Sequence, residues 1–263
     1  MIKVLEETAR ACGDILIEER FRGLHAIDKD ETLGAHFSTQ ADERSQEHAV
    51  EVLHTAFPGV PVIAEEQKYA EDVPPNCFVV DPLDGTTAYF NGCREYGVTI
   101  CRIHDGRPQA GVMYFPEDRM MISAVSGQGC FVNGERLRIR HTAPLDKTML
   151  GFDVGPWTPL SILESLVRRF CFRSLMSAMW GEREVLLGQT GAYLNLNVAK
   201  IWDAAAGVLA VQEAGGIACA PDGSELHWNR AGMDWVIAAN EEFAKIVLEA
   251  TRLWLGRVHT PHP

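Results

Sequence analysis

Apolar side chains at Leu5, Ala9, Cys12, Ile15 and Leu16 recur at the three-to-four spacing of an amphipathic helix. The pattern predicts a helix over residues 2–22, with Gly23 as its stop. A second helical pattern runs to about Ala56, with Val50, Leu53 and Ala56 on its inward face. Between the two, residues 28–34 (Asp-Lys-Asp-Glu-Thr-Leu-Gly) show no periodicity and mixed charge, as a solvated loop does. The pattern then shortens to strands. Residues 60–64 and 77–80 are nearly continuous apolar runs. Residues 98–104, 109–115, 120–125 and 131–132 follow, separated by Asp105-Gly106, Pro116-Glu117-Asp118 and Gly127-Gln128-Gly129. Asn133-Gly134 is a type I′ hairpin signal, so an antiparallel meander packed on the two N-terminal helices is expected.

Composition turns polar at residues 141–147, which sets a boundary between lobes 1–142 and 143–263. Beyond it helical and strand patterns alternate. Helices are expected over 161–172, 178–187, 203–214 and 241–255, the third ended by Gly215-Gly216 and the last capped by Asn240. Strands are expected at 173–176, 217–220 and 235–239. The chain has no internal repeat and no low-complexity segment.

Several of these apolar runs end in acids. The run 77–80 delivers Asp81-Pro82-Leu83-Asp84-Gly85-Thr86-Thr87, in which Pro82 stiffens the turn and two carboxylates three residues apart can converge. Carboxylates with a backbone carbonyl, such as that of Leu83, are the oxygen ligands of a hard cation like Mg²⁺. Gly85 permits close backbone approach, and the amides of Gly85, Thr86 and Thr87 would face an anion if they open a helix. An Asx-type turn with a proline has the same local sequence. Two further sites match, however: run 60–64 ends in Glu65-Glu66, and Ile201-Trp202-Asp203 leads into Ala204-Ala205-Ala206-Gly207.

Together these three segments resemble the signatures of the inositol monophosphatase-like, Mg²⁺-dependent, lithium-sensitive phosphatases, a resemblance covering about residues 5–254. It implies a layered α-β-α-β-α fold of the α+β class, shared with fructose-1,6-bisphosphatase, with metals between the lobes. Also implied is a ligand set: Glu65, Asp81 and the Leu83 carbonyl on a first Mg²⁺, and Asp81, Asp84 and Asp203 on a second. Glu65, Thr86 and Asp42 would orient and deprotonate the attacking water, and Glu66 would back the site or hold a third metal. Asp42 belongs to Ser38-Thr39-Gln40-Ala41-Asp42, which is similar to the family's Val-Thr-x-x-Asp element; Thr39 or Asp42 also reads as a helix cap. Asp203 equally reads as an ordinary N-cap. The loop at residues 28–34 would close over the metals.

Inositol-specific members carry an acid where this chain has Asn195, so the leaving group is open. A sugar or polyol monophosphate, a 3′(2′),5′-bisphosphate nucleotide, fructose bisphosphate and histidinol phosphate all remain, as does a non-catalytic member of the fold. For a bisphosphate, Lys29, Arg183 and Lys200 are the candidate basic side chains. Ser177-Ala178 matches the family's small-residue helix entry only in part, because Met179-Trp180 follow. The family commonly dimerises, and Trp157, Met176, Met179 and Trp180 are candidates for a homodimer interface or for core.

Composition narrows the partners. A net charge of -12 argues against a nucleic-acid polymer or an anionic membrane surface, and no apolar run approaches membrane-spanning length. Seven scattered cysteines without CxxC or zinc spacing indicate reduced thiols and a cytoplasmic protein. Residues 28–31 lack the spacing of a calcium-binding EF-hand loop.

Overall fold

The N-terminal periodicity forms α1 (Ile2–Arg22), which buries Leu5, Ala9, Cys12 and Leu16 and ends at Gly23 with φ 95°. A short antiparallel ribbon follows, β1 (Ala26–Asp28) with β2 (Phe37–Thr39). Thr39 then caps α2 (Gln40–Ala56): its hydroxyl accepts the Ala41 N–H, while Asp42 accepts the Thr39 N–H. Leu53 is buried as expected, but Ala56 is exposed, because Phe57 turns in instead and packs on Phe78 at 5.0 Å. This computed structural model describes residues 1–29, 37–67, 71–155, 158, 160–196 and 199–258; most of the expected loop at 28–34 lies outside them.

The meander is a seven-stranded sheet in chain order. It comprises β3 (Val62–Ala64), β4 (Cys77–Asp84), β5 (Gly97–His104), β6 (Arg107–Phe115), β7 (Met120–Val125), β8 (Gly129–Val132) and β9 (Glu135–Leu137). Only β3 and β4 run parallel. Asn133 and Gly134 both have positive φ, 49° and 86°, as a type I′ turn requires. Strand β4 is buried along its whole length because both sheet faces are covered. Phe78 and Val80 pack toward α1 and α2, while Cys77 and Val79 join the core on the other side. The turn after β4 carries α3 (Thr86–Phe90).

After the connection at 138–148, where the expected lobe boundary falls, a second sheet begins. It is built from β10 (Met149–Phe152), β11 (Cys171–Arg173), β12 (Ala192–Asn195), β13 (Ile217–Cys219) and β14 (Trp235–Ala238), in the order β11-β10-β12-β14-β13. Among the described residues four helices accompany it: α4 (Leu160–Leu166), α5 (Ala178–Leu186), α6 (Ile201–Glu213) and α7 (Glu241–Val258). Helices α5 and α6 lie between the sheets and share one apolar core with both, and α4 and α7 cover the outer face. The layering is α-β-α-β-α, as the resemblance implied.

Details of the second half differ from the pattern-based expectation. The helix expected over 161–172 stops at Leu166, because Cys171–Arg173 pairs in parallel with β10 as an edge strand. The strand expected at 173–176 therefore lies earlier, and Met176 instead takes a left-handed turn, φ 55°. Strands β10 and β12 lie outside the expected strands. All seven cysteines are free, five buried, while Cys93 and Cys171 are exposed rather than core thiols. Among the described residues no helix is long and apolar enough to cross a membrane.

Candidate metal and phosphate site

Strand β4 delivers its acids through an irregularity in its pairing with β5 between Asp81 and Asp84, which re-aims both side chains. Asp81 is 1% exposed and its Oδ1 accepts the Leu83 N–H at 3.0 Å. Asp84 is tied to the start of α5: the Ser177 hydroxyl donates to its Oδ1, and the Met179 N–H donates to Oδ2 at 3.1 Å. From the opposite side comes Asp203. It does not cap α6, whose N-cap is Lys200; it is the third helical residue, and its Oδ2 accepts the Lys200 N–H at 2.6 Å. That reach back to the cap fixes the carboxylate over β4. One oxygen from each of Asp81, Asp84 and Asp203 lies within 4.8 Å of the others.

Such a cluster resists ionisation. Burial pushes all three acids up first, and then each feels its neighbours: Glu65, Asp84 and Asp203 act on Asp81, Asp203 acts on Asp84, and Glu65 acts on Asp203. Asp203 is pushed up to about 7. Three hard oxygen donors converging in a buried pocket, with their charges uncompensated by one another, match the chemistry of a divalent hard cation.

Glu65 and Glu66 follow β3, where the Glu65 N–H bonds the Val80 carbonyl at 3.3 Å and holds the segment beside β4. Lys29 bridges them, its Nζ 2.9 Å from Glu65 and 2.6 Å from Glu66. Burial works against the ammonium, but the two glutamates outweigh it and hold Lys29 above the usual lysine range. Glu66 is itself pushed up to about 7, by burial and then by Glu65. Glu65 lines the same cleft as Asp81, Asp84 and Asp203, whereas Glu66 stands behind it.

Gly85, at φ 83° and ψ 34°, makes the left-handed step that turns β4 into α3, and a Cβ there would lie 2.5 Å from the Glu95 carbonyl. Thr86 and Thr87 then begin α3, whose first amides have no partner within the helix. The Thr86 hydroxyl is 3.1 Å from both Asp42 Oδ1 and the Leu83 carbonyl. Asp42 thus serves as helix cap and, itself fully buried, reaches the cleft wall through the Thr86 hydroxyl. It is pushed up to about 6, by burial first, against its hydrogen bonds from Thr39.

Asn195 also lines the cleft, with Asp153, Met176 and Ala199. Pattern reading missed Asp153, yet it shares the signal of Glu65 and Asp81: a short apolar run ending in an acid. Of the basic candidates, Lys29 alone lines the cleft among the described residues. Arg183 is committed elsewhere, 2.9 Å from Asp118 and stacked 4.4 Å over Trp180. Lys200 does not line the cleft; its backbone N–H bonds Asp203, and its charge acts on that carboxylate. Met179 and Trp180 are buried in the core, so they offer no interface; Trp157 lies outside the described residues. Beside Asp84 and Asp203, Glu182 of α5 is fully buried, and among the described residues neither oxygen makes a hydrogen bond of ordinary geometry. Burial, then Asp84 and Asp203, hold it well above the usual carboxylate range.

Known proteins are similar to this chain in sequence and fold. A Nus factor SuhB from Pasteurella multocida is 31% identical over 229 residues, covering 83% of this chain and 84% of that one. Inositol monophosphatase 1 of Solanum lycopersicum is 27% identical over 272 residues, 95% of this chain and 94% of its own. Among solved structures, the extragenic suppressor protein suhB of Bartonella henselae superposes with a TM-score of 0.84 at 26% identity, over 95% of this chain and 97% of that one. The profile of the inositol monophosphatase family matches residues 1–253, and the chain belongs to that family.

Proposed function

We propose that the protein is a Mg²⁺-dependent phosphatase that hydrolyses a small phosphate monoester with a metal-activated water. The observation that carries this reading is the convergence of buried Asp81, Asp84 and Asp203 beside the Thr86–Asp42 pair. Glu65, Asp81, the Leu83 carbonyl, Asp84 and Asp203 would hold the metal, with Glu66 behind them. Mg²⁺, when bound, lowers the pKa of a coordinated water and offsets the phosphate charge. Thr86 orients that water, and Asp42, poised near neutral pH at about 6, accepts the proton relayed through the Thr86 hydroxyl. The amides of Gly85, Thr86 and Thr87 bind the phosphate oxygens.

A cleft of about 200 Å³ suits a small substrate rather than a polymer. Lys29, the one basic side chain lining it among the described residues, is already neutralised by two glutamates. That favours a sugar or polyol monophosphate over a nucleotide or fructose bisphosphate, whose second phosphate needs a free cation. A non-catalytic role is disfavoured because no carboxylate or threonine of the water-activating set is missing.

Phosphate release from inositol, polyol, nucleotide and histidinol phosphates, with Mg²⁺ or with EDTA, tests the reading. Release that requires Mg²⁺ and is fastest on a monophosphate is expected; no release from any ester by folded, Mg²⁺-binding protein would sink it. Thr86→Val keeps the side-chain shape but removes the proton relay. It is expected to lower kcat by about 10²-fold while leaving the thermal shift on adding Mg²⁺ intact. Loss of that shift would make Thr86 a structural residue instead.

A further inference from the structure

The cleft wall at Asn195 carries a chain of hydrogen bonds with a direction. Asp153, just past β10, accepts the N–H groups of Leu175 and Met176 on Oδ1, each at 2.8 Å. Its Oδ2 accepts the Tyr193 hydroxyl at 2.9 Å. A hydroxyl has one hydrogen, so Tyr193, having donated to Asp153, can only accept from Asn195, whose Nδ2 lies 3.1 Å away. The phenol is 1% exposed and held tightly: a Cβ on Gly181 of α5 would lie 2.3 Å from its ring, and one on Gly151 of β10 2.9 Å. The ring is therefore held within reach of both partners, and the direction of the chain is set by the Asp153 carboxylate, which only accepts.

We propose that Asp153, through Tyr193, fixes the Asn195 amide with its carbonyl oxygen toward the cleft, so that the enzyme selects leaving groups that present a hydrogen-bond donor, a hydroxyl or an ammonium. The acid that inositol-specific members place at the Asn195 position stands two residues further back along the hydrogen bonds here, on Asp153 beyond Tyr193, and is read through a neutral amide. Asp153 is a positioning residue: it also pins the turn at Leu175 and Met176 that leads into Ser177, the residue bonded to Asp84. The proposal rests on the phosphatase reading.

Three esters separate the possibilities: myo-inositol 1-phosphate with leaving-group hydroxyls, phosphoethanolamine with an ammonium, and phenyl phosphate with neither. Tyr193→Phe, assayed with Mg²⁺, is expected to raise KM about tenfold for a donor-bearing ester and to leave phenyl phosphate unchanged. Asp153→Asn keeps an oxygen for the two backbone N–H groups but turns an amide toward Tyr193, which must then donate to Asn195 and reverse its amide. The ammonium ester, which cannot accept, should lose about tenfold, and the inositol ester, whose hydroxyls also accept, should lose less. Losses on one or both donor-bearing esters that spare phenyl phosphate support the relay, and the ester that loses more identifies the donor. Equal losses on all three esters, or none in either variant, overturn it while the phosphatase reading stands. Wild-type protein that releases phosphate from none of them removes both.

Discussion

Asp84→Asn is expected to lower Mg²⁺-dependent phosphate release by at least about 10³-fold, because a bound cation contributes several kcal/mol to the transition state of phosphoryl transfer. The substitution is nearly isosteric. The new carbonyl can still accept the Met179 N–H, and the Ser177 hydroxyl can accept from the new amide. Its effect on stability has the opposite sign. Asp81, Asp84 and Asp203 are pushed above their unfolded values near 4, so the folded, metal-free state binds more protons than the unfolded one. Stability from this source is fully present below the unfolded values and is lost as pH rises through the folded ones, for Asp203 about 7. In EDTA at pH 8, Asp84→Asn should therefore melt above wild type, by about 2–4 °C for each kcal/mol of repulsion relieved. Mg²⁺ should stabilise wild type more at pH 8 than at pH 5 and should stabilise the variant little at either. A variant that keeps activity, or that melts lower in EDTA, would remove Asp84 from the metal site.

Gly207→Ala is expected to destabilise the protein by about 3 kcal/mol, at the upper end of overpacking effects. In an ordinary helix alanine would stabilise by about 1 kcal/mol relative to glycine. Here the added Cβ would lie 1.7 Å from Glu182 Oε2 and 2.0 Å from its Cδ, and Glu182 is fully buried between α5 and α6. Steric overlap outweighs propensity. Glu182→Ala opens the space, so the double variant should be more stable than Gly207→Ala alone by about 2 kcal/mol, a coupling that thermal melts of the four proteins of the cycle measure. Additive effects would show that α5 and α6 separate instead of clashing.

The pair Glu182 and Gly207 marks the boundary of sequence reading. Glycine in the segment Ala204-Ala205-Ala206-Gly207 reads as part of a small-residue helix, and nothing local reveals the carboxyl of another helix against it. Similarly, Arg183 and Lys200 look like free cations along the chain, but partner choice decides whether a cation is available, and Asp118 takes Arg183. Helix α4 ended early for the same kind of reason: pairing of Cys171–Arg173 with β10 is a non-local interaction that overrides helical periodicity.

What the chain determined alone is the meander, the two N-terminal helices and the acids at strand ends, because periodicity, turn chemistry and strand-end position are local properties. Thr39 and Asp42 as a cap were legible on the same grounds, whereas the left-handed step at Gly85 came from the structure. The tertiary structure decided that Asp203 meets Asp81 and Asp84 across two elements, that Lys29 is spent on Glu65 and Glu66, and that Asp153 stands behind Asn195. Those are distances between residues far apart in sequence, set by how α5 and α6 seat between two sheets, and no window of local sequence contains them.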